Sequence, residues 1–252
     1  MSDFPCFVVN LEKDKERRIA VEKELHRLNI PHIIFPAVYG ADLSDDELLK
    51  VYDQEKARLK KREVALSEIG CALSHYYIYQ AMVNQNLPYA LILEDDAVLA
   101  DETPILLNEL SRALDPNAPT VVLLSFARRY LARPALPLTS THTLFNVYGH
   151  AVGTYAYCLT QRAAQHLMKV IYPVSRPNDR WGEFADEKVI DLKTIVPYCA
   201  SHNEAFVSNI IDERDAVNRL SGQSFRREKR YRQWSRLFWS LFLPVKKQQK
   251  TW

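Results

Sequence analysis

The sequence predicts an α/β fold built on a mostly parallel, doubly wound sheet. Short apolar runs alternate along the 252-residue chain with segments of helical hydrophobic spacing, an alternation typical of parallel sheets covered by helices. The run over residues 89–93 is apolar without a break, which indicates a strand buried on both faces. With 47% hydrophobic residues and six glycines, the composition is that of a folded globular chain and argues against a repetitive or disordered one.

The predicted elements begin with a strand, a helix and a second strand. Residues 7–11 form a short apolar strand, and after a charged turn the apolar positions between 19 and 28 recur at helical spacing. A second strand covers 33–38, and the charged stretch 42–63 is predicted as a helical excursion with a mobile loop. The later elements are a helix from Ser67 that ends before Asn86, the strand 89–93, a helix over 103–114, a strand over 120–124, a strand over 153–159, a helix over 161–170 and a last strand over 194–197.

Three consecutive acids, Glu94, Asp95 and Asp96, end the buried strand. Ligands of open α/β sheets bind outside the carboxyl ends of the strands, so these acids lie where chemistry is expected. Paired carboxylates suit Mg²⁺ or Mn²⁺, which bind through one or two acids while substrate phosphates fill other positions. Such a metal acts as a Lewis acid that neutralises a diphosphate leaving group. The alternative is a solvated acidic turn or the start of a helix, where acids are favoured anyway.

The helix that precedes this strand carries a second pattern over residues 67–75. Glu68 and His75 are seven residues apart and therefore share one helix face. Gly70 inside a helix costs about 1 kcal/mol relative to alanine, which indicates that a backbone or a ligand passes close to it. The alternative for His75 is a partly buried histidine held by hydrogen bonds.

Cysteine usage and apolar runs bear on the compartment of the protein. The four cysteines are far apart and form no C-x-x-C pair, so neither a zinc knuckle nor a thioredoxin-type site is indicated, and we interpret them as small buried apolar residues. The first residues show no secretory signal, and a reducing cytosol fits both observations. The longest apolar run near the end, 237–243, is interrupted by Ser240 and is far shorter than the ~20 residues of a membrane-spanning helix.

The charge of the chain is concentrated in its last segment. Residues 214–252 contain eleven Lys/Arg and two Asp/Glu, a net +9, which leaves 22 Lys/Arg and 29 Asp/Glu, a net −7, for residues 1–213. A basic groove across the whole domain, as nucleic acid requires, is therefore not supported. Residues 225–243 place aromatic and leucine side chains on one helical stripe with arginines mostly off it, which predicts a basic amphipathic helix at a membrane surface. The alternative is a terminal helix that packs Trp234 and Phe238 on its own domain.

Four blocks of the chain carry a resemblance to a known family. They are Val9-Asn10-Leu11 followed by Arg17-Arg18, Leu66 to His75 with its Glu-x-Gly-Cys-x-x-Ser-His pattern, Leu91 to Asp96, and Gly153 to Ala164. Together these blocks resemble glycosyltransferase family 25 of bacterial lipooligosaccharide biosynthesis. The resemblance implies a Rossmann-like transferase of the GT-A type that uses a metal and a nucleotide sugar, most often UDP-galactose. It assigns Asn10 and Arg17 to the nucleotide, Glu68 and His75 to the donor pocket, Glu94 to the same cofactor-binding set, and Asp95 and Asp96 to the metal diphosphate.

The catalytic base and a third metal ligand are sought in the second half of the chain. Direct displacement at a sugar carbon with inversion needs a base that accepts the proton of the acceptor hydroxyl. Asp179 is the predicted base, because it is a lone acid on a loop after the second half of the sheet; its segment Pro177-Asn178-Asp179 matches a Pro-x-Asp of the family. Glu183 and Asp186 are rivals. His202 is a candidate metal ligand, since imidazole suits Mn²⁺, and its alternative is an ordinary surface histidine.

These observations predict a catalytic domain over 1–213, with a nucleotide-sugar half over 1–126 and an acceptor half over 127–213, and a basic tail over 214–252. The resemblance implies the transfer of galactose from UDP-galactose, with Mn²⁺ or Mg²⁺, onto a terminal sugar of lipooligosaccharide, and the linkage expected from inversion is β. The enzyme is expected on the cytoplasmic face of the inner membrane, with its tail on the anionic surface and without nucleic acid.

Two other functions compete with this prediction. A non-catalytic protein that binds anionic membrane or nucleic acid through the tail has no need of three acids at a strand end. A metal-dependent phosphohydrolase is expected to carry additional His/Asp clusters, which the sequence lacks. The site and not the α/β pattern decides between them, because one fold hosts many functions.

Overall fold

A sheet of nine strands forms the centre of the computed structural model, which describes residues 4–60, 62–203, 205–206 and 244–250. The strands are β1 Cys6–Asn10, β2 His32–Pro36, β3 Tyr89–Glu94, β4 Ala97–Leu99, β5 Thr120–Leu123, β6 Arg129–Pro137, β7 Thr143–Val147, β8 Ala156–Thr160, β9 Asp191–Val196, β10 Ala200–His202 and β11 Val245–Lys247. The helices are α1 Lys15–Arg27, α2 Asp45–Val51, α3 Gln54–Leu59, α4 Leu66–Asn84, α5 Thr103–Ala113, α6 Gln161–Ile171 and α7 Trp181–Asp186, with a 3₁₀ turn at Gly40–Asp42.

The order of the large sheet is β11-β6-β7-β9-β5-β8-β3-β1-β2, while β10 and β4 form a separate pair. Within the described residues, β1, β2, β3, β5, β6 and β9 run in one direction and β7, β8 and β11 run in the other. The predicted α/β fold with a mostly parallel sheet is confirmed in this sense. The sheet is nevertheless mixed between neighbours, because β8 lies antiparallel between β3 and β5, β7 lies antiparallel between β6 and β9, and β11 is antiparallel to β6.

Helices cover both faces of the sheet, as its alternating side chains require. On β1, Phe7 and Val9 face the core that contains α4, α6 and α7, whereas Cys6 and Val8 face the core that contains α1 and α5. Strand β3 divides in the same way, with Ile92 on the first side and its neighbours on the second. The central strands are therefore buried on both faces, which explains why the run 89–93 is apolar without a break.

Two glycines bring the start of α4 against the turn that follows β2. A Cβ atom on Gly70 would lie 2.5 Å from the carbonyl oxygen of Val38 and 2.6 Å from the amide nitrogen of Gly40, and one on Gly40 would lie 1.8 Å from the carbonyl oxygen of Leu66. The close approach that Gly70 predicts is confirmed, and the partner is backbone. This contact fixes the edge of a cleft between β2 and α4.

The small pair β4–β10 follows the three acids directly. Strand β4 begins at Ala97, and antiparallel pairing places His202 opposite Ala97. The amide nitrogen of Asn203 donates to the carbonyl oxygen of Asp96 at 2.8 Å. Chain segments about a hundred positions apart thus meet beside Asp96.

The edge of the sheet beyond β9 differs from what the sequence predicts. The hairpin β6–β7 was not anticipated, because the second half of β6 is exposed, contains prolines and shows no alternation of apolar and polar residues. Strand β11, from the predicted tail, pairs with β6, and the buried Gln248 side chain accepts from the Ala127 amide at 3.1 Å and donates to the Ile195 carbonyl at 3.2 Å.

The amphipathic helix predicted over 225–243 lies outside the described residues, and the division into domains stays a prediction. Among the residues that the structure describes, no helix combines the length and apolar character needed to cross a membrane.

Candidate functional site

A cleft of about 130 Å³ opens at the carboxyl ends of β1 and β3. The two strands are parallel neighbours with Val9 opposite Glu94, so the residues that follow them emerge side by side. The turn after β2 and the first turns of α1 and α4 close the cleft. Its lining is Val9, Leu11, Asp14, Arg17, Ala37, Val38, Tyr39, Gly40, Ser67, Cys71, Ser74, Glu94, Asp95 and Asp96.

Asp95 and Asp96 are held by Asn10 and Arg17 in one network. Arg17 donates from Nε to Asp95 Oδ1 at 2.6 Å and from Nη2 to Asp96 Oδ2 at 2.8 Å. The amide of Asn10 donates to Asp95 Oδ2 at 2.7 Å and to the Asp14 carbonyl at 3.1 Å. The structure therefore brings together four of the residues predicted for the site, and it orients both carboxylates with charged and amide donors.

The second carboxylate of the pair is electrostatically strained. Burial and the negative charge of Glu94 raise the pKa of Asp96 to about 6, with a further contribution from Asp95, against the opposing charges of Arg17 and His202. Burial also raises the pKa of Asp95, although Arg17 and Asn10 oppose this. An additional positive charge in this part of the cleft would be favourable.

One oxygen of the pair fits a bound cation. Asp96 Oδ1 is buried and has no hydrogen-bond partner among the described residues. A free carboxylate oxygen beside a second carboxylate is the donor set that Mn²⁺ or Mg²⁺ takes. His202 is exposed and lies near enough to Asp96 to lower its pKa, with its ring 5.5 Å from that of Tyr155. Its role as a third ligand stays a prediction.

Glu94 and His75 meet at the inner wall of the cleft. The hydroxyl of Thr154 donates to Glu94 Oε1, and His75 Nε2 lies 3.6 Å from the same oxygen. Burial alone would raise the pKa of Glu94, but His75, Thr154 and Arg17 outweigh it and the pKa is lowered. Glu94 lines the cleft as an ionised group. His75 is fully buried behind it, and its Nδ1 lies 2.7 Å from the hydroxyl of Tyr157.

Glu68 lies apart from this wall. It is buried at the start of α4, where Oε1 pairs with Arg62 at 2.5 Å and Oε2 accepts from the Ala65 amide at 3.1 Å. These are the contacts of a helix cap and an internal ion pair. The structure does not bring Glu68 to the cleft surface, and its assignment to the donor pocket stays a prediction.

Asp179 approaches the cleft from the loop before α7. Burial is the main cause that raises the pKa of the Cys71 thiol, and the negative charges of Glu94 and Asp179 add to it, so both acids lie near Cys71. The carboxylate of Asp179 is a quarter exposed and lies 4.0 Å from Nε of Arg180. Its rival Glu183 lies 3.9 Å from Nη1 of the same arginine.

Several residues of the cleft were not predicted from the sequence. Tyr39 is 40% exposed at the rim, and the ammonium of Lys13 lies 3.4 Å from the centre of its ring. Thr154 and the buried Asn178 contact two residues that line the cleft: the Thr154 hydroxyl donates to Glu94, and Asn178 Oδ1 lies 3.6 Å from Cys71 Sγ. Loop residues of this kind give no periodic signal, and the sequence pointed to Thr154 and Asn178 only as members of the segments 153–164 and 177–179 that resemble the family.

Comparison with known proteins decides the family. The sequence profile described as glycosyltransferase family 25, LPS biosynthesis protein, matches residues 4–181. The chain belongs to glycosyltransferase family 25. The resemblance based on four sequence blocks is confirmed, and the matched region contains Asn10, Arg17, the three acids and Asp179.

Relatives of this family are similar over parts of their length. A glycosyltransferase 25 family member of Drosophila melanogaster is 30% identical over 200 residues, 70% of this chain and 32% of that protein. Procollagen galactosyltransferase 1-A of Xenopus laevis is 27% identical over 177 residues, 67% of this chain and 28% of that protein. Lipooligosaccharide biosynthesis protein lic2B of Haemophilus influenzae is 29% identical over 103 residues, 41% of this chain and 37% of that protein. The chain thus spans about a third of the length of these relatives.

Solved structures are more distant. A mutant Drosophila beta-1,4-galactosyltransferase 7 in complex with manganese, UDP-Gal and xylobiose is similar at a TM-score of 0.41 and 8% identity, over 89% of this chain and 77% of that one. A likeness of this size carries no argument about the function.

Proposed function

We propose that this family 25 glycosyltransferase moves galactose from UDP-galactose onto a terminal sugar of lipooligosaccharide, by direct displacement with inversion. The observation that carries the proposal is the carboxylate pair Asp95 and Asp96, which lines the cleft at the carboxyl end of β3. One buried oxygen of the pair has no hydrogen-bond partner within the part of the chain that the structure describes. A sugar-binding or tail-driven membrane protein needs no such pair.

In this proposal Asp95 and Asp96 hold Mn²⁺ or Mg²⁺, with His202 as a third ligand. The ion would supply positive charge for the two phosphates of the leaving UDP. Arg17 keeps the two carboxylates side by side and adds its own positive charge to the floor of the cleft, and Asn10 fixes Asp95. The groups are oriented before the donor binds, which reduces the reorganisation needed during transfer.

Asp179 acts as the base in this proposal. The acceptor hydroxyl gives its proton to the Asp179 carboxylate while its oxygen bonds to the anomeric carbon, and the bond from that carbon to the diphosphate breaks. Asp179 is supported by its position near Cys71, which itself lines the cleft. Its side chain is only a quarter exposed, and Oδ1 lies 4.0 Å from Nε of its neighbour Arg180.

The sugar and the acceptor are proposed from the relatives. The Xenopus relative is named a procollagen galactosyltransferase, which supports galactose. The Haemophilus relative is named a lipooligosaccharide biosynthesis protein, which supports a lipid-linked oligosaccharide as acceptor. A location on the cytoplasmic face of the inner membrane, held by the +9 tail, completes the proposal.

A donor screen against truncated lipooligosaccharide tests the proposed function. UDP release and product mass are measured for UDP-galactose, UDP-glucose and UDP-N-acetylhexosamines, each with Mn²⁺ or with a chelator, and NMR of the product gives the anomeric configuration. We expect a β-linked hexose product from UDP-galactose in the presence of Mn²⁺, and none in the presence of the chelator. Transfer that persists in chelator would contradict the metal assignment, and an α-linked product would contradict direct displacement.

The base is tested separately with Asp179→Asn. The expected result is a turnover at least about a hundredfold lower with UDP affinity unchanged, within the range of rate loss typical when a general base is removed. Glu183→Gln is the matched control. If the control loses turnover and the Asp179 variant does not, the base is Glu183.

A further inference from the structure

A second cluster of ligand-type side chains lies behind the carboxylate pair. Cys71 and His75 are four residues apart on α4 and therefore project from the same face of the helix, and Glu94 ends the adjoining strand β3. One donor atom from each of the three, Sγ, a ring nitrogen and a carboxylate oxygen, lies within 4.8 Å of the other two. Cys71 and Glu94 both line the cleft, so the cluster is open to solvent ions on one side.

The orientation of His75 distinguishes this cluster from a chance grouping. The residue is fully buried, and its Nε2 has no hydrogen-bond partner in the described part of the chain. That atom points toward Glu94 Oε1 at 3.6 Å, which is too long for a hydrogen bond. Nε2 therefore has a long electrostatic contact with Glu94 in place of a hydrogen bond. A cation between the two groups would supply a short contact, and a buried polar atom that lacks one costs about 1–3 kcal/mol.

The spacing of the donor atoms fits one small cation. In a tetrahedral zinc site, with bonds of about 2.3 Å to sulfur and about 2.0 Å to nitrogen and oxygen, the ligand atoms are about 3.3–3.6 Å from one another. His75 Nε2 and Glu94 Oε1 are 3.6 Å apart, and Cys71 Sγ and Glu94 Oε1 are 4.0 Å apart. These two separations exceed the ideal ones by roughly 0.3–0.5 Å. The third, between Cys71 Sγ and the His75 ring nitrogen, is within 4.8 Å.

The opposite ring nitrogen of His75 has the outer partner that metal-bound histidines have. Nδ1 lies 2.7 Å from the hydroxyl of Tyr157, and this hydroxyl lies 2.7 Å from that of Tyr79. When Nε2 binds a metal, Nδ1 carries the ring proton and donates a hydrogen bond to the Tyr157 hydroxyl. That hydroxyl can in turn donate a hydrogen bond to Tyr79. The two buried tyrosines thus accommodate the tautomer in which Nε2 is free to bind.

We propose that Cys71, His75 and Glu94 form a binding site for Zn²⁺, separate from the oxygen-rich Asp95 and Asp96 pair. A thiolate and an imidazole favour Zn²⁺, whereas carboxylates and water favour Mn²⁺ or Mg²⁺, so the two sites select different ions. Binding breaks the S–H bond of Cys71, forms a metal–sulfur bond and releases one proton to solvent. Three protein ligands leave a fourth position, which opens to the cleft. The ion would tie the first turns of α4 to the end of β3.

Cobalt substitution of the full chain tests this site without any donor or acceptor, so its outcome is independent of the proposed transferase activity. Co²⁺ bound to a thiolate gives a near-ultraviolet sulfur-to-metal charge-transfer band, which Co²⁺ on carboxylates does not give. We expect this band in the wild-type protein, its loss in Cys71→Ser and its displacement by Zn²⁺. The matched control is Cys6→Ala, which removes a buried cysteine outside the cluster and should keep the band.

The hydrogen bond between His75 and Tyr157 gives a second test of the zinc site. Tyr157→Phe should weaken Zn²⁺ binding about 10- to 100-fold, measured by competition with a chromogenic chelator, while circular dichroism shows a folded chain. Absence of the thiolate band in the wild-type protein would overturn the proposal. So would a band that survives in Cys71→Ser, since it would come from another cysteine.

Discussion

We predict that the ionised carboxylate of Asp96 lowers the free energy of unfolding of the metal-free protein. The substitution Asp96→Asn should therefore raise it. The pKa of the carboxyl is raised from an ordinary 3.8 to about 6 by burial and by Glu94, and its side chain is only 14% exposed. Because the pKa rises from 3.8 to about 6, the ionised form costs roughly 3 kcal/mol at neutral pH, at about 1.4 kcal/mol for each tenfold change in the acid constant. Asparagine keeps the shape and cannot ionise, so we expect the free energy of unfolding to rise by about 1–3 kcal/mol.

The pH dependence of this gain has a definite sign. Between pH 3.8 and about 6 the folded chain holds more protons on Asp96 than the unfolded chain does, so stability falls as pH rises through this window. The gain from Asp96→Asn should be small at the acidic end, grow across the window and level off above pH 6. Urea unfolding of both proteins in the presence of a chelator, at a series of pH values across this window, measures the gain in the free energy of unfolding. Destabilisation at pH 7.5, or a gain that does not change with pH, would refute the reasoning.

Four further predictions concern other parts of the molecule. Asp95→Asn should lower transfer at least about a hundredfold while the chain stays folded, because it removes a metal-centred electrostatic contact. Glu68→Ala should lower the free energy of unfolding by about 3 kcal/mol or more, since it breaks a buried ion pair with Arg62. Gly70→Ala should cost about 1–3 kcal/mol, because its Cβ would meet backbone at 2.5 Å. Replacing the arginines between 225 and 243 with glutamine should reduce salt-sensitive binding to anionic vesicles and leave transfer to a soluble acceptor unchanged.

The last three of these predictions have controls or contradicting outcomes. Glu63→Ala breaks the exposed pair with Arg58, so it should cost less than about 1 kcal/mol; equal losses for Glu63 and Glu68 would contradict the buried pair. If Gly70→Ala unfolds at the same temperature as the wild-type protein, α4 can shift to accept the new Cβ atom, and the predicted loss of stability is wrong. Substitution is preferred to truncation at the tail, because a chain ending at 224 also lacks β11. If the glutamine variant binds anionic vesicles as the wild-type protein does, the proposal that the tail binds the membrane is wrong.

The sequence predicted the central elements because their signals are local. An uninterrupted apolar run that ends in acids identified β3 and its carboxylates, and a glycine within a helical pattern identified the close approach at Gly70. The network of Asn10, Arg17 and Asp95 is not local, because it depends on the parallel register that places Val9 beside Glu94. Only the resemblance to the family pointed to Asn10 and Arg17.

The same limit explains why helix spacing alone could not fix the environment of Glu68 and His75. Seven residues of separation place both on one face of α4, but the face is covered by different neighbours along its length. Arg62 and the Ala65 amide cover Glu68, whereas Tyr157 and Glu94 surround His75. The nearest neighbours of a helix face come from the tertiary fold, and sequence spacing does not encode them.

The measurement that tests the central claim most directly is calorimetric titration of the full chain with UDP, in Mn²⁺ and in chelator. If Asp95 and Asp96 bind the metal that carries the diphosphate, UDP should bind with Mn²⁺ and at least about a hundredfold more weakly without it, and the double variant Asp95→Asn, Asp96→Asn should lose the metal-dependent part. Equal UDP affinity in Mn²⁺ and in chelator, or a double variant that binds as the wild type does, would contradict the account.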